Sequence, residues 1–132
     1  MSKSDIGKWG EIYSARFLRE KGLNIVQSNY RTRFGEIDII ANDGKYIVFV
    51  EVKSRTNLSK GSPKVYVDER KQRKIILSAA LYCNNMTERL QPRFDVIEVY
   101  FEKTSDKKPF KIKHIKNAFD AGALGVNLDF GG

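Results

Sequence analysis

From Asp5 to Lys21 apolar side chains recur every three or four residues, at Ile6, Trp9, Tyr13 and Phe17. That spacing predicts a helix resting one stripe on a core. Gly22, directly after Glu20-Lys21, is a helix stop of the expected kind. The pattern then shortens to the alternation of strands: Leu23 to Arg31 around Ile25 and Val26, then Phe34 to Asn42. Asn42-Asp43-Gly44 predicts a hairpin turn into a strand from Lys45 to Ser54. Within that strand Tyr46-Ile47-Val48-Phe49-Val50 is apolar on both faces, which predicts a central strand covered on both sides. Residues 55–66 read as a loop. A second helix is expected from Asp68 to Asn85, burying Ile75, Ala79, Tyr82 and Met86. Arg93 to Glu102 reads as a strand and Thr104 to Pro109 as a turn. Phe110 to Asn117 reads as an edge strand whose alternate lysines discourage pairing. The order α-β-β-β-α-β, with a last β, predicts one mixed α/β domain over residues 1–120. A Gly-rich tail would follow over 121–132.

Composition narrows the chemistry. The chain has 132 residues, 24 Lys and Arg against 16 Asp and Glu, a formal charge of +8 and a pI of about 9.6. No apolar run approaches the roughly 20 residues of a membrane span. Met1-Ser2-Lys3-Ser4-Asp5 lacks a signal-peptide apolar block, and Cys83 is the single cysteine, so a cytoplasmic protein without an internal disulfide is expected. His114 is the single histidine. One His and one Cys cannot build the usual four-ligand zinc site, so any metal should be held by carboxylate oxygens, as Mg²⁺ or Mn²⁺ are.

The charge is not spread evenly. Residues 1–34 carry +4, residues 35–52 carry −3, residues 53–74 carry +6 and residues 103–116 carry +5. An acidic, otherwise apolar segment thus lies between basic ones. Basic flanks suit an anionic partner such as nucleic acid. Carboxylates in their midst suit a divalent cation set against a phosphate. A plain solvated surface accounts for the charges as well.

Strand alternation puts Glu36 and Asp38 on one face, and Glu51 and Lys53 on one face of the next strand. The intervening turn makes these strands antiparallel, so Asp38 and Glu51 fall within reach of one metal, with Lys53 beyond. Two carboxylates holding Mg²⁺ and a lysine that positions water are what phosphodiester hydrolysis requires. Burying Glu51 and Lys53 at the end of an apolar strand is costly unless they are paired or coordinated. Glu11, at the border of the first helix stripe, is either a third carboxylate aimed at the strand ends or a solvated residue. Lys71 and Gln72 lie near the buried side of the second helix and can reach a phosphate, whereas Arg70, Arg73 and Lys74 read as an ordinary basic face. Arg31, Arg33, Arg55 and the Lys60–Lys64 loop can contact a nucleic-acid backbone. Glu36 either supports the site from behind or pairs with an Arg. His114 reads as a surface strand residue, Cys83, Trp9 and Tyr13 as core, and Asp95 as a partner for a basic neighbour.

Asp38 followed by Glu51-Val52-Lys53 after a hairpin resembles the D…(D/E)xK signature of the restriction-endonuclease-like superfamily. A longer set of motifs is similar to the YraN family of predicted bacterial endonucleases. It comprises Gly7-x-x-Gly10-Glu11, Asn29-Tyr30-Arg31, Gly35-Glu36-Ile37-Asp38-Ile39-Ile40-Ala41, Val48 to Arg55, Lys71-Gln72 and Arg93-Phe94-Asp95-Val96. The resemblance covers residues 5–120. It implies the restriction-endonuclease-like fold, a mixed central sheet flanked by helices. It also implies a Mg²⁺- or Mn²⁺-dependent endonuclease acting on branched or damaged DNA, as the related archaeal Holliday-junction resolvases do. On that resemblance Glu11, Asp38, Glu51 and the Val52 carbonyl become metal ligands, Lys53 the catalytic lysine, and Lys71 or Gln72 a further polar group. The proline that often precedes the first Asp is Ile37 here. The resolvases are dimers, which makes a homodimer an expectation. The alternatives are a DNA- or RNA-binding accessory protein without catalysis, and an interaction protein whose basic face serves a protein partner.

Overall fold

A computed structural model describes residues 2–56 and 67–122. Its elements are α1 (Ser2–Glu20), β1 (Asn24–Arg31), β2 (Glu36–Asn42), β3 (Tyr46–Thr56), α2 (Glu69–Asn84), β4 (Gln91–Phe101) and β5 (Lys111–Phe119). The strands form one sheet in the order β1-β2-β3-β4-β5. β1, β2 and β3 pair antiparallel, β3 and β4 pair parallel, and β4 and β5 pair antiparallel. The parallel pair needs a long crossover, and α2 lies within it. This is the mixed α/β sheet with flanking helices that the chain pattern predicts, and β3 is its middle strand.

The doubly apolar run of β3 is explained by two cores. Val48 and Val50 join Ile6 and Leu18 of α1 on one face, while Ile47 and Phe49 join Ile75, Ile76 and Ala79 of α2 on the other. The helix ends follow local chemistry. Gly22 stands at φ +94°, the Leu23 amide donates to Leu18 O and the Gly22 amide to Arg19 O, a double bond pattern that closes α1. Asp68 caps α2 by accepting from the Lys71 amide. In the hairpin turn Gly44 takes φ +93° and Asp43 accepts from the Lys45 and Tyr46 amides.

Boundaries move by a few residues. α1 begins at Ser2, three residues before the expected start, and β2 begins at Glu36, because residues 32–35 form a turn. Thr32 organises that turn, accepting from the Phe34 and Gly35 amides and sharing a 2.7 Å bond with Ser78 of α2. β3 runs on through Arg55 and Thr56, and β5 spans Lys111–Phe119, an edge as expected. The remainder of the expected 55–66 loop and most of the Gly-rich tail lie outside the described residues. Among the described residues no helix is long and apolar enough to cross a membrane.

Candidate functional site

The first determinant of the site is how closely α1 approaches β3. The most buried line of α1 is Ile6, Gly10, Ser14 and Leu18, spaced by four, with Trp9 and Phe17 packed half-buried beside it. The expected aromatic stripe is therefore the flank and not the ridge of contact. Small residues on the ridge let the helix backbone descend onto the strand. A Cβ at Gly10 would collide with Ser54 Oγ, and that hydroxyl donates to Ile6 O at 2.8 Å. This contact brings Glu11, next in sequence, to the end of the sheet.

The second determinant is a fork in the sheet. Ladder pairs between β2 and β3 run as far as Ile39↔Val50 and stop. One residue further stand Asp38 and Glu51, opposite each other. Instead of a backbone bond, the Val52 amide donates to Asp38 Oδ2 at 2.8 Å. On the other side of Asp38, between the pairs Ser28↔Ile39 and Tyr30↔Ile37, stands Asn29 in a left-handed conformation, φ +53°. The pleat breaks here as well, since Ile37 packs with the α2 core and Ile39 with the α1 core although they are two apart. Asn29 uses its turned backbone to donate from Nδ2 to Glu11 Oε1 at 3.0 Å. Asn29 is a site residue that the strand pattern does not disclose; an Asn in mid-strand, a poor strand former, is its one signal.

Glu11, Asp38 and Glu51 together line one open cavity of about 670 Å³, with Val52, Ser54 and Thr104. Burial, first, and then the Glu51 charge push Asp38 up to about 7; the Val52 amide opposes the shift, and Glu11 and Glu36 add to it. Glu51 is buried at 7% exposure, and Lys71 Nζ stands 3.6 Å from its Oε2. The donor set is hard oxygen carrying excess negative charge, which suits Mg²⁺ or Mn²⁺. In this conformation Glu11 is turned to Asn29 and Glu51 to Lys71. Among the described residues no group of three or more His, Cys, Asp or Glu stands ready to hold a metal.

Lys53 shares the α2 face of β3 with Glu51 and Arg55, and is paired in register with Glu98 of β4. It does not line the cavity. Arg55 Nε donates to Glu98 at 2.6 Å. Gln72 turns back to donate to Val67 O at 2.6 Å, within its own helix start. Arg31 stands 3.8 Å from Glu36, and Arg33 lies over the Phe34 ring. Cys83 is buried core, and burial pushes its thiol up to about 12. Lys60 and Lys64 lie outside the described residues.

His114 departs from the surface role expected of it. Its side chain is almost fully buried, and Nε2 lies 2.8 Å from Asp95 Oδ2. Asp95, fully buried, also takes two bonds from Arg93 and one from the Asn117 amide. Alternation along β5 puts His114 on the face of Ile112, opposite the lysines at 111 and 113, where it meets the Phe17 ring of α1 edge-on at 5.9 Å.

The model of the family described as Uncharacterised protein family UPF0102 matches residues 10–99. The chain belongs to that family. A UPF0102 protein of Caldanaerobacter subterraneus subsp. tengcongensis is 43% identical over 122 residues, 90% of this chain and 98% of the relative. One from Acetivibrio thermocellus is 46% identical over 121 residues, 89% and 93% of the two chains. One from Legionella pneumophila is 41% identical over 118 residues, 88% and 95%. UPF0102 membership agrees with the YraN resemblance at the level of family. The UPF0102 match takes in the α1 approach, the fork and the start of α2, and ends within β4.

Proposed function

We propose that this UPF0102 protein is a divalent-cation-dependent DNA endonuclease of the restriction-endonuclease-like superfamily. The observation that carries the reading is the fork: Asp38 and Glu51 face each other where the β2–β3 ladder ends, in one cavity with Glu11. Asp38, Glu51, Glu11 and the Val52 carbonyl would hold Mg²⁺ or Mn²⁺. The bound cation would supply positive charge for the phosphodiester and make water a stronger acid. Lys53 orients the attacking water and offsets negative charge on the phosphate oxygens as it develops. Water attacks phosphorus and releases its proton to solvent, the P–O bond to the leaving sugar breaks, and the leaving alkoxide takes a proton from solvent. Arg31, Arg33, Arg55, Lys71 and Gln72 take backbone phosphates, with Glu36 restraining Arg31. Such contacts fix position and do not read bases, so structured DNA in the cytoplasm is the substrate class. Symmetric cutting of both strands would need a homodimer.

A second reading has its own support. Glu11 and Glu51 are already partnered, by Asn29 and Lys71, as they would be in a binding protein with a silent site.

A cleavage assay separates the two. Purified protein is given linear duplex, single strands, flaps and a four-way junction, with Mg²⁺ and then Mn²⁺. Wild type is expected to cut at least one substrate, Asp38→Ala none, and Lys53→Ala about 10²–10³-fold more slowly, the usual loss of one charge-stabilising group. Salt-sensitive binding with no turnover on any substrate would overturn the nuclease reading in favour of the second.

A further inference from the structure

Beyond the cavity, the α2 face of the sheet continues uncovered by that helix into a row of cations. The β3–β4–β5 register sets Lys53 beside Glu98 beside Lys113, and Arg55 beside Tyr100 beside Lys111. Four cations thus surround one carboxylate. That carboxylate, Glu98, is 1% exposed and already satisfied, by Arg55 and by the Tyr100 hydroxyl at 2.6 Å. What faces outward is net positive. Two cations on neighbouring positions of one strand face lie about 7 Å apart, and two strands over is about 10 Å, spacings on which a flexible phosphate chain can settle. The row ends at Phe110, a residue 52% exposed beside Tyr100, with Lys107, Lys108 and Lys111 around it in sequence. Thr104, in the same β4–β5 hairpin, lines the cavity of Glu11, Asp38 and Glu51, so hairpin and site are contiguous.

We infer that a single-stranded DNA arm leaves the site across β3, β4 and β5, its phosphates over Arg55, Lys113 and Lys111 and one base stacked on Phe110. The inference rests on the nuclease reading for the direction of the arm and deepens it by naming the substrate feature recognised. An exposed ring flanked by lysines can stack only on a base that is not already stacked in a duplex, so it selects unpaired strands. Isolated exposed phenylalanines are ordinary. This one is distinguished by ending a row of cations on a hairpin that also reaches the cavity, through Thr104.

The test uses the full chain in EDTA, so that binding is read without turnover. Two DNAs with the same duplex are compared by fluorescence anisotropy, one blunt and one with a single-stranded arm bearing 2-aminopurine. Wild type is expected to prefer the armed DNA about tenfold and to quench the 2-aminopurine. Phe110→Ala should reduce the preference to less than twofold with blunt-duplex affinity and melting temperature unchanged. Phe110→Trp should restore it. Lys113→Gln should lower the salt slope for armed DNA by about one. An arm preference that survives Phe110→Ala, or a loss equal on both DNAs, overturns the inference. Phe110-dependent arm binding without any cleavage in Mg²⁺ or Mn²⁺ would instead overturn the nuclease reading and leave the arm site standing.

Discussion

Asp38 titrates near neutrality because it is half-buried opposite Glu51. Its carboxyl, raised from 3.8 to about 7, binds its proton more tightly folded than unfolded. The metal-free fold therefore loses stability as pH rises from about 4 to about 7 and levels off above. Asp38→Asn should abolish that decline and be more stable than wild type at pH 8 in EDTA, read by denaturant melts. The same crowding predicts the effect of a cation. At pH 8, Mn²⁺ should raise the wild-type melting temperature by a few degrees, less in Glu51→Gln and not at all in Asp38→Asn. Equal shifts in all three would remove the cation from this site. At this scale the sequence was generous with the acids and poor in their partners. Asp38 and Glu51 could be placed on adjoining strand faces by counting. That Asn29 would turn left-handed and take hold of Glu11 depends on a break in the pleat, which strand periodicity cannot express.

Among the elements, α1 shows how two small residues set a distance. Gly10→Ala ordinarily strengthens a helix by up to about 1 kcal/mol. Here the new methyl meets Ser54 Oγ, and rotating the hydroxyl away loses its bond to Ile6 and still leaves Ser54 Cβ at 3.3 Å. Overpacking of this kind costs about 1–3 kcal/mol, so Gly10→Ala should lower stability. Adding Ser54→Ala should recover part of the loss, and a double-mutant cycle on unfolding free energies would measure the coupling. Simple additivity would mean the contact does not set the packing. The apolar stripe of α1 was legible as Ile6, Trp9, Tyr13 and Phe17, because large side chains dominate any hydrophobic count. The true line of contact passes through Gly10 and Ser14, which such a count cannot weigh. For β3 pattern and structure agree; on α2 Ile75 and Ala79 are buried as expected, joined by Ile76 and Ser78, while Tyr82 and Met86 are only partly buried.

On the scale of the whole molecule, the sheet holds two polar clusters. One is the fork; the other is Asp95 with Arg93 and His114, where Asp95 of β4 pairs with Val50 of β3, one residue from Glu51. Arg93 also reaches Asp43 at 3.3 Å, so this cluster ties the β2–β3 turn to β4, and through His114 and the Asn117 amide to β5. Burial alone would raise the Asp95 carboxyl, but the bonds from His114, Arg93 and Asn117 hold it below the usual range. A lowered carboxyl contributes stability above its unfolded value and loses it as pH falls through the folded one, so the cluster weakens only in acid. Asp95→Asn should cost about 3 kcal/mol at pH 7, where it leaves Arg93 short of a partner, and the gap to wild type should narrow in acid, as pH falls below the usual carboxylate range. The central place of β3 and a core on each of its faces were legible from periodicity because Tyr46 to Val50 is apolar on both faces. This cluster was not, since it assembles from residues 43, 93, 95, 114 and 117, brought together only by the finished sheet.

The Val52 amide bonds to a side chain where its neighbours along β3 serve the ladder. Its hydrogen bond therefore exists only while Asp38 Oδ2 is free to accept. Whatever engages that oxygen, a proton or a cation, leaves its mark on one backbone N–H. In an amide spectrum Val52 should shift with pH around the Asp38 midpoint and again with added Mn²⁺-surrogate diamagnetic Mg²⁺, while Val48 and Val50 stay still. The chain thus carries its own spectroscopic indicator of the state of the fork, with no label to install.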